Sequence, residues 1–221
     1  GAPGCGKTSL CTELVSRIGS SRLRHLSGGD FHRSAIEAIG SAYTEGRVLK
    51  TLQRADPYED ELSHFIYACH SEAMRQLDAE GVHAVISDVK DVQQLCILES
   101  AHLAELEASV AVRTAPGARH MAFDAVVVID CSERTLLARL KGREAREGDW
   151  HSEATRLKKY FRDAGVREDK LASYTSARAQ TYIVKLSGEQ PLMTVCNNVE
   201  DLLRECAKAK GMDLTKDSES G

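Results

Sequence analysis

Gly1-Ala2-Pro3-Gly4-Cys5-Gly6-Lys7-Thr8 fits G-x-x-x-x-G-K-[ST], the pattern of a phosphate-binding loop. Its glycines let the backbone curl so that several N–H groups point inward at phosphate oxygens. Lys7 is expected to reach the β- and γ-phosphates, and the Thr8 hydroxyl to sit on Mg²⁺. Ser9 to Ile18 reads as a helix whose positive end faces the phosphates. The alternative, a glycine-rich turn, explains neither the four matched positions nor the helical pattern that follows. Such a loop should follow a buried strand, which in doubly wound proteins lies mid-sheet. None precedes Gly1, so we expect a sheet with its first strand missing, or a loop held differently. Each apolar side chain lost with that strand is worth roughly 1.5–3 kcal/mol. The net stability of a whole domain is only about 5–15 kcal/mol.

Composition fits one soluble α/β domain with insertions: 221 residues, 42% hydrophobic, 28% charged, net charge -4. There is no basic footprint for nucleic acid and no apolar run of membrane-spanning length. No signal peptide is visible. The seven cysteines are odd in number and form no C-x-x-C pair, which reads as a reduced, cytoplasmic protein with mostly buried thiols. Cys5 differs, because a helix N-terminus and Lys7 beside it are a setting that lowers a thiol pKa. Modification there should block nucleotide as a side effect. The eight histidines are scattered, without zinc spacing. We expect small nucleotides as partners, no nucleic acid, no membrane, and a monomer.

Along the chain, Leu23 to Leu26 reads as a strand ending in Ser27-Gly28-Gly29-Asp30, followed by a helix from Phe31 to Ile39. Gly40 to Pro57 is a polar insertion, and Asp60 to Asp78 a long helix. Val82 to Ser87 is a strand closing in Asp88, where a magnesium-orienting carboxylate would stand. Asp91 to Leu106 is helical, and Val110 to Met121 ambiguous. The apolar run Ala125 to Ile129 reads as a strand buried on both faces, the mark of a parallel sheet. Ser132 starts a helix running to Lys141. Helices are expected at Glu153–Asp163, Glu168–Ala179 and Val199–Lys210, a strand at Tyr182–Leu186, a loop at Ser187–Pro191, and a disordered tail from Gly211. Strands alternating with helices give a parallel sheet covered on both sides.

Arg139 and Arg143 lie four apart on one helix face, with Arg146 and Arg156 following. Such a cluster can neutralise a migrating phosphoryl group. Charge pattern alone favours a solvated, salt-bridged face.

Five separated segments, in order, resemble the adenylate kinase family of nucleoside monophosphate kinases. Gly1–Thr8 resembles its ATP loop, and Ser27-Gly28-Gly29-Asp30-Phe31-His32-Arg33 its S-T-G-D-x-x-R segment. Lys90 and Gln94 stand in the R-T-x-x-Q segment. Arg139-Leu140-Lys141-Gly142-Arg143 resembles R-[IL]-x-G-R, with Arg146 and Arg156-Leu157-Lys158-Lys159-Tyr160 after it. Lys185 to Val195 resembles the loop that cups the ATP adenine. The resemblance overturns the solvated-face reading. It implies a P-loop NTPase-type parallel sheet sandwiched by helices. The core would be residues 1–30, 83–142 and 157–210, with an acceptor-binding helical insertion at 31–82. A short lid at 143–156 and the tail at 211–221 complete the division.

For the site, it implies that Gly1, Ala2, Pro3, Gly4, Cys5, Gly6, Lys7, Thr8, Arg139 and Gln190 bind ATP. Gly28, Arg33, Lys90, Gln94 and Arg156 would hold the acceptor. Lys7, Arg143, Arg146 and Arg156 would act on the transferring group, while Thr8, and Asp88 through water, hold Mg²⁺. The implied reaction is ATP + AMP to two ADP. Gly28 stands where the family has threonine and Lys90 where it has arginine, which is not conservative at a bidentate phosphate contact. Asp88-Val89-Lys90 also resembles strand ends in dephospho-coenzyme A, phosphomevalonate and deoxynucleotide kinases. A CMP, UMP or phosphorylated-metabolite kinase, and a non-catalytic nucleotide-binding module, therefore stay open.

Overall fold

The computed structural model describes residues 1–31, 69–70, 72–77, 79–89, 92, 94–99, 123–140, 153–162, 164–177 and 181–214. Helix α1 (Lys7–Ile18) leads to strand β1 (Leu23–Ser27). Strands β2 (Ala84–Asp88) and β3 (Ala125–Asp130) follow, then helices α2 (Glu133–Leu140), α3 (Glu153–Arg162) and α4 (Ala164–Ala177). Strand β4 (Tyr182–Ser187) and helix α5 (Leu192–Ala209) end the order. Residues 28–31, 72–77 and 94–99 are also helical. The helices expected within 32–68 and the segment 110–121 fall outside the described residues.

β1 pairs with β2 in parallel, Leu23 opposite Ala84 through Ser27 opposite Asp88. β3 pairs with β4 in parallel, Ala125 opposite Tyr182 through Asp130 opposite Ser187. The single expected sheet is thus present as two parallel pairs, with no described strand between β2 and β3. This also corrects the reading of Ala125–Ile129 as buried on both faces. Only Ile129 is fully buried, and residues 125–128 are half-buried, with β4 the one strand that pairs with β3 among the described residues.

The core explains why α1 and α5 form. Leu10, Leu14 and Ile18 recur at helical spacing and are buried, as are Val195, Val199 and Leu202 of α5. Those faces pack with Leu23, Ile129, Leu136 and Leu157 into one apolar cluster. Met74, Ile97 and Leu98 form a smaller cluster with Val85 and Phe123. Arg17 fastens α1 to α5, its guanidinium 2.8 Å from Asn197 Oδ1 and 3.2 Å from Glu200 Oε2.

Several boundaries differ from expectation: helix begins at residue 28 rather than Phe31, and β2 at Ala84 rather than Val82. α5 begins at Leu192, not Val199, because Val195, Cys196 and Val199 share one buried face that outweighs the poor helix formers Asn197 and Asn198. α4 begins at Ala164 rather than Glu168. The tail expected to be disordered from Gly211 is packed as far as Leu214, which is 2% exposed, while Asp213 O accepts from Arg22. Apolar burial decides there, despite the polar composition that follows.

Candidate functional site

The loop Gly1–Thr8 is pinned from below. Ala2 and Cys5 are buried at 1% and 3% exposure, so the backbone between them is held while its outer rim stays open. Gly4 and Gly6 adopt φ of 81° and 98°, a region that L-residues other than glycine avoid. Gly6 is the N-cap of α1, and no side chain caps that end. The first turn of α1 carries no acidic residue either, which suits an anion. Lys7 folds back over the loop, its Nζ donating to Gly1 O at 2.7 Å and Ala2 O at 2.9 Å.

Asp88 closes β2 beside this loop, as expected. Its Oδ2 accepts from Thr8 Oγ1 at 3.3 Å, and its Oδ1 accepts from the Gly28 backbone N–H at 3.0 Å. His25 Nε2 stands 3.4 Å from Oδ2. Burial alone would push this carboxyl up. The His25 contact, the Lys7 charge and the Gly28 amide outweigh it and hold Asp88 below the usual carboxylate range. An ionised carboxylate next to a threonine hydroxyl is a hard oxygen pair, the donor type that magnesium takes. Among the described residues no cluster of three or more His, Cys, Asp or Glu could hold a metal by itself.

The second wall is built by α2 and the turn after β4. Arg139 Nη2 donates to Gly188 O at 2.7 Å, and Nη1 lies 3.5 Å from Cys5 O, so one guanidinium ties that turn to the phosphate loop. Gly188 admits no side chain: an added Cβ would stand 2.5 Å from Cys131 Sγ and 2.8 Å from Ile129 Cγ2. Glu189 Oε1 accepts from Ser132 N at 3.0 Å and Thr135 Oγ1 at 2.9 Å, capping α2 from outside the helix. Those bonds hold its carboxyl below the usual range. Gln190 is exposed in the same turn.

The structure therefore brings together Gly1 to Thr8, Gly28, Asp88 and Arg139 among the residues expected from sequence. Gln94 is half-buried in the helical stretch 94–99. Arg33, Lys90, Arg143 and Arg146 lie outside the described residues, and of Arg156 only its place on α3 is described.

Sequence reasoning passed over three participants. His25 shares a strand face with Ser27, and the alternation of β1 could have flagged it. Glu189 acts on a helix far away in sequence, which no local pattern signals. His70, fully buried, sets Nε2 3.0 Å from Ser87 Oγ and stacks on Phe31 at 4.8 Å. Of the thiols, Cys5, Cys11, Cys131 and Cys196 are buried and Cys69 is exposed. Burial pushes the Cys11 thiol up to about 12, so it stays protonated.

Among the described residues no helix is long and apolar enough to cross a membrane. The protein family described as AAA domain matches residues 1–156. No curated protein matches the chain.

Proposed function

The chain belongs to the AAA domain family, and from that premise we propose that it is an adenylate kinase-like phosphotransferase. Membership gives a P-loop NTPase fold and a kinase-like, nucleotide-binding domain. The finer reading is that it moves the γ-phosphoryl of ATP to a nucleoside monophosphate, AMP first. One observation carries it. The two oxygens of Asp88 accept from Thr8, in the phosphate loop, and from Gly28, in the segment that resembles the acceptor site. Donor and acceptor segments meet on one carboxylate, as transfer between two bound nucleotides requires.

Thr8 and Asp88, the latter through water, would hold Mg²⁺, which neutralises phosphate charge when bound. Gly1 to Gly6 would present backbone N–H groups to the phosphates, and Lys7 would leave its carbonyls to follow the moving group. Arg139 and Gln190 would flank the ATP base. Arg33, in an insertion over residues 31–82, would hold the acceptor together with Lys90 and Gln94 beyond that insertion and Arg156 at the end of the lid. Arg143, Arg146 and Arg156 would close from a lid at residues 143–156 and exclude water. No covalent intermediate is involved, because catalysis here is positioning and charge neutralisation. The protein would work as a cytoplasmic monomer on small nucleotides.

The test is coupled ADP production from ATP–Mg²⁺, with AMP, CMP, UMP and GMP offered separately. AMP-dependent turnover supports the reading. Turnover with another acceptor alone moves the assignment to that acceptor, with Gly28 as the first suspect. ATP binding without transfer to any of the four sinks the nucleoside monophosphate kinase reading.

A further inference from the structure

Residues 187–191, the turn after β4, have a buried point and an open rim. Gly188 is buried, and the protein uses both of its backbone groups: its N–H donates to Asp130 O at 2.7 Å, and its O accepts from Arg139 Nη2 at 2.7 Å. Ser187, Glu189, Gln190 and Pro191 are exposed and form the part open to a ligand. The local bonds of that rim are long, with Glu189 N 3.3 Å from Ser187 Oγ and Gln190 N 3.3 Å from Ser187 O. The shorter bonds come from one side chain. Glu189 Oε1 accepts from Ser132 N at 3.0 Å and from Thr135 Oγ1 at 2.9 Å.

α2 has a start of its own without this carboxylate. Ser132 caps it, with Oγ accepting from Thr135 N at 3.3 Å. In a capping box the third helical residue is Glu or Gln, and its side chain returns to the N-cap amide. Here that residue is Thr135, which is too short to return, and Glu189 fills the place from 57 residues away. Its bonds therefore fasten the turn to the helix more than they make the helix. Ser132, Thr135 and Arg139 recur at spacings of three and four, so one face of α2 holds the turn along the length of the helix.

We propose that Glu189 is a positioning residue for the base of the donor nucleotide. By holding the open rim of the turn against α2, it sets the backbone around Gln190 before the nucleotide arrives. Binding then does not have to order that segment. The same contacts hold the Glu189 carboxyl below its usual range, so it is ionised at neutral pH, and an ionised acceptor makes the stronger hydrogen bonds. This role rests on the reading that sets the donor base against the turn. It is independent of which acceptor takes the phosphoryl group.

Two ligands separate a positioning role from a structural one: ATP, which carries a base, and inorganic tripolyphosphate, which does not. Both are titrated with Mg²⁺ against the parent protein, Glu189→Ala, Glu189→Gln and Thr135→Val. We expect Glu189→Ala to raise the Kd for ATP at least about 10-fold and to leave that for tripolyphosphate within about twofold, because the phosphates are held elsewhere, by the phosphate loop. Glu189→Gln keeps an oxygen acceptor and should restore ATP binding to within about threefold of the parent. Thr135→Val removes one partner, so it should weaken ATP binding in the parent and add little to Glu189→Ala. Equal losses for the two ligands overturn the proposal, since Glu189 then only supports the fold. Unchanged ATP binding in Glu189→Ala overturns it too. A parent that binds tripolyphosphate as tightly as ATP sinks the placement of the base on the turn, and the proposal with it, before any variant is made.

Discussion

Lys7 holds two carbonyls of its own loop in this structure, at 2.7 and 2.9 Å. Nucleotide must offer it better acceptors, and phosphate oxygens are charged where carbonyls are not. Lys7→Ala should therefore lower kcat/KM by at least about 100-fold, read in the coupled ADP assay. Turnover near that of the parent would remove Lys7 from the mechanism. His70 makes a different prediction, about acid. Burial is the main cause that lowers its pKa from the ordinary 6.5 to about 4, with Asp88 opposing and His25 reinforcing. The unfolded chain therefore takes up a proton between those values before the folded one does. Stability is full above pH 6.5 and falls as the pH drops towards 4, by roughly 3 kcal/mol at most. His70→Phe should flatten the denaturant midpoint over that window, whereas an unchanged slope would move the acid sensitivity elsewhere. Asp88 adds to the loss at lower pH, because its depressed carboxyl stabilises the fold only while ionised.

α1 serves two ends at once, presenting the phosphate loop at its start and burying Leu10, Leu14 and Ile18 along one face. Leu14 is fully buried, so Leu14→Ala should cost about 2–5 kcal/mol in chemical denaturation. A loss under 1 kcal/mol would mean that the site collapses around the cavity. This double duty is why the loop and its helix were legible in sequence: motif and period occupy adjacent residues. The end of β2 was legible too, since Asp88 follows an apolar run and closes the strand, whereas β4 runs one residue past the expected Leu186. α5 starts seven residues before the expected Val199, because the buried face of Val195 and Cys196 carries the helix across Asn197-Asn198. The long-range tethers, Glu189 to α2 and Arg139 to Gly188, were not legible as such. Arg139 carried a motif, but its carbonyl partner is set by how α2 packs. The half-burial of residues 125–128 was equally hidden, since an apolar run looks the same whether its faces are fully or partly covered.

For the molecule as a whole, nucleotide should act as a structural ligand. The phosphate loop, β2 and the turn after β4 belong to different parts of the chain and are brought together at the site. A ligand bound there at 100 times its Kd should raise unfolding free energy by about 2.7 kcal/mol, seen as a higher Tm with ATP–Mg²⁺. No shift at saturating nucleotide would mean that the loop does not bind. The two strand pairs carry a consequence for kinetics. Leu23 pairs with Ala84 and Ala125 with Tyr182, so each pairing closes a loop of roughly 60 residues before any bond rewards it. α1 and α5 can form from local contacts, but the strands must wait for distant partners. Their apolar edges stay bare meanwhile, so this chain meets its greatest danger of sticking to its neighbours on the way to the fold, and a crowded refolding mixture should lose yield as protein concentration rises.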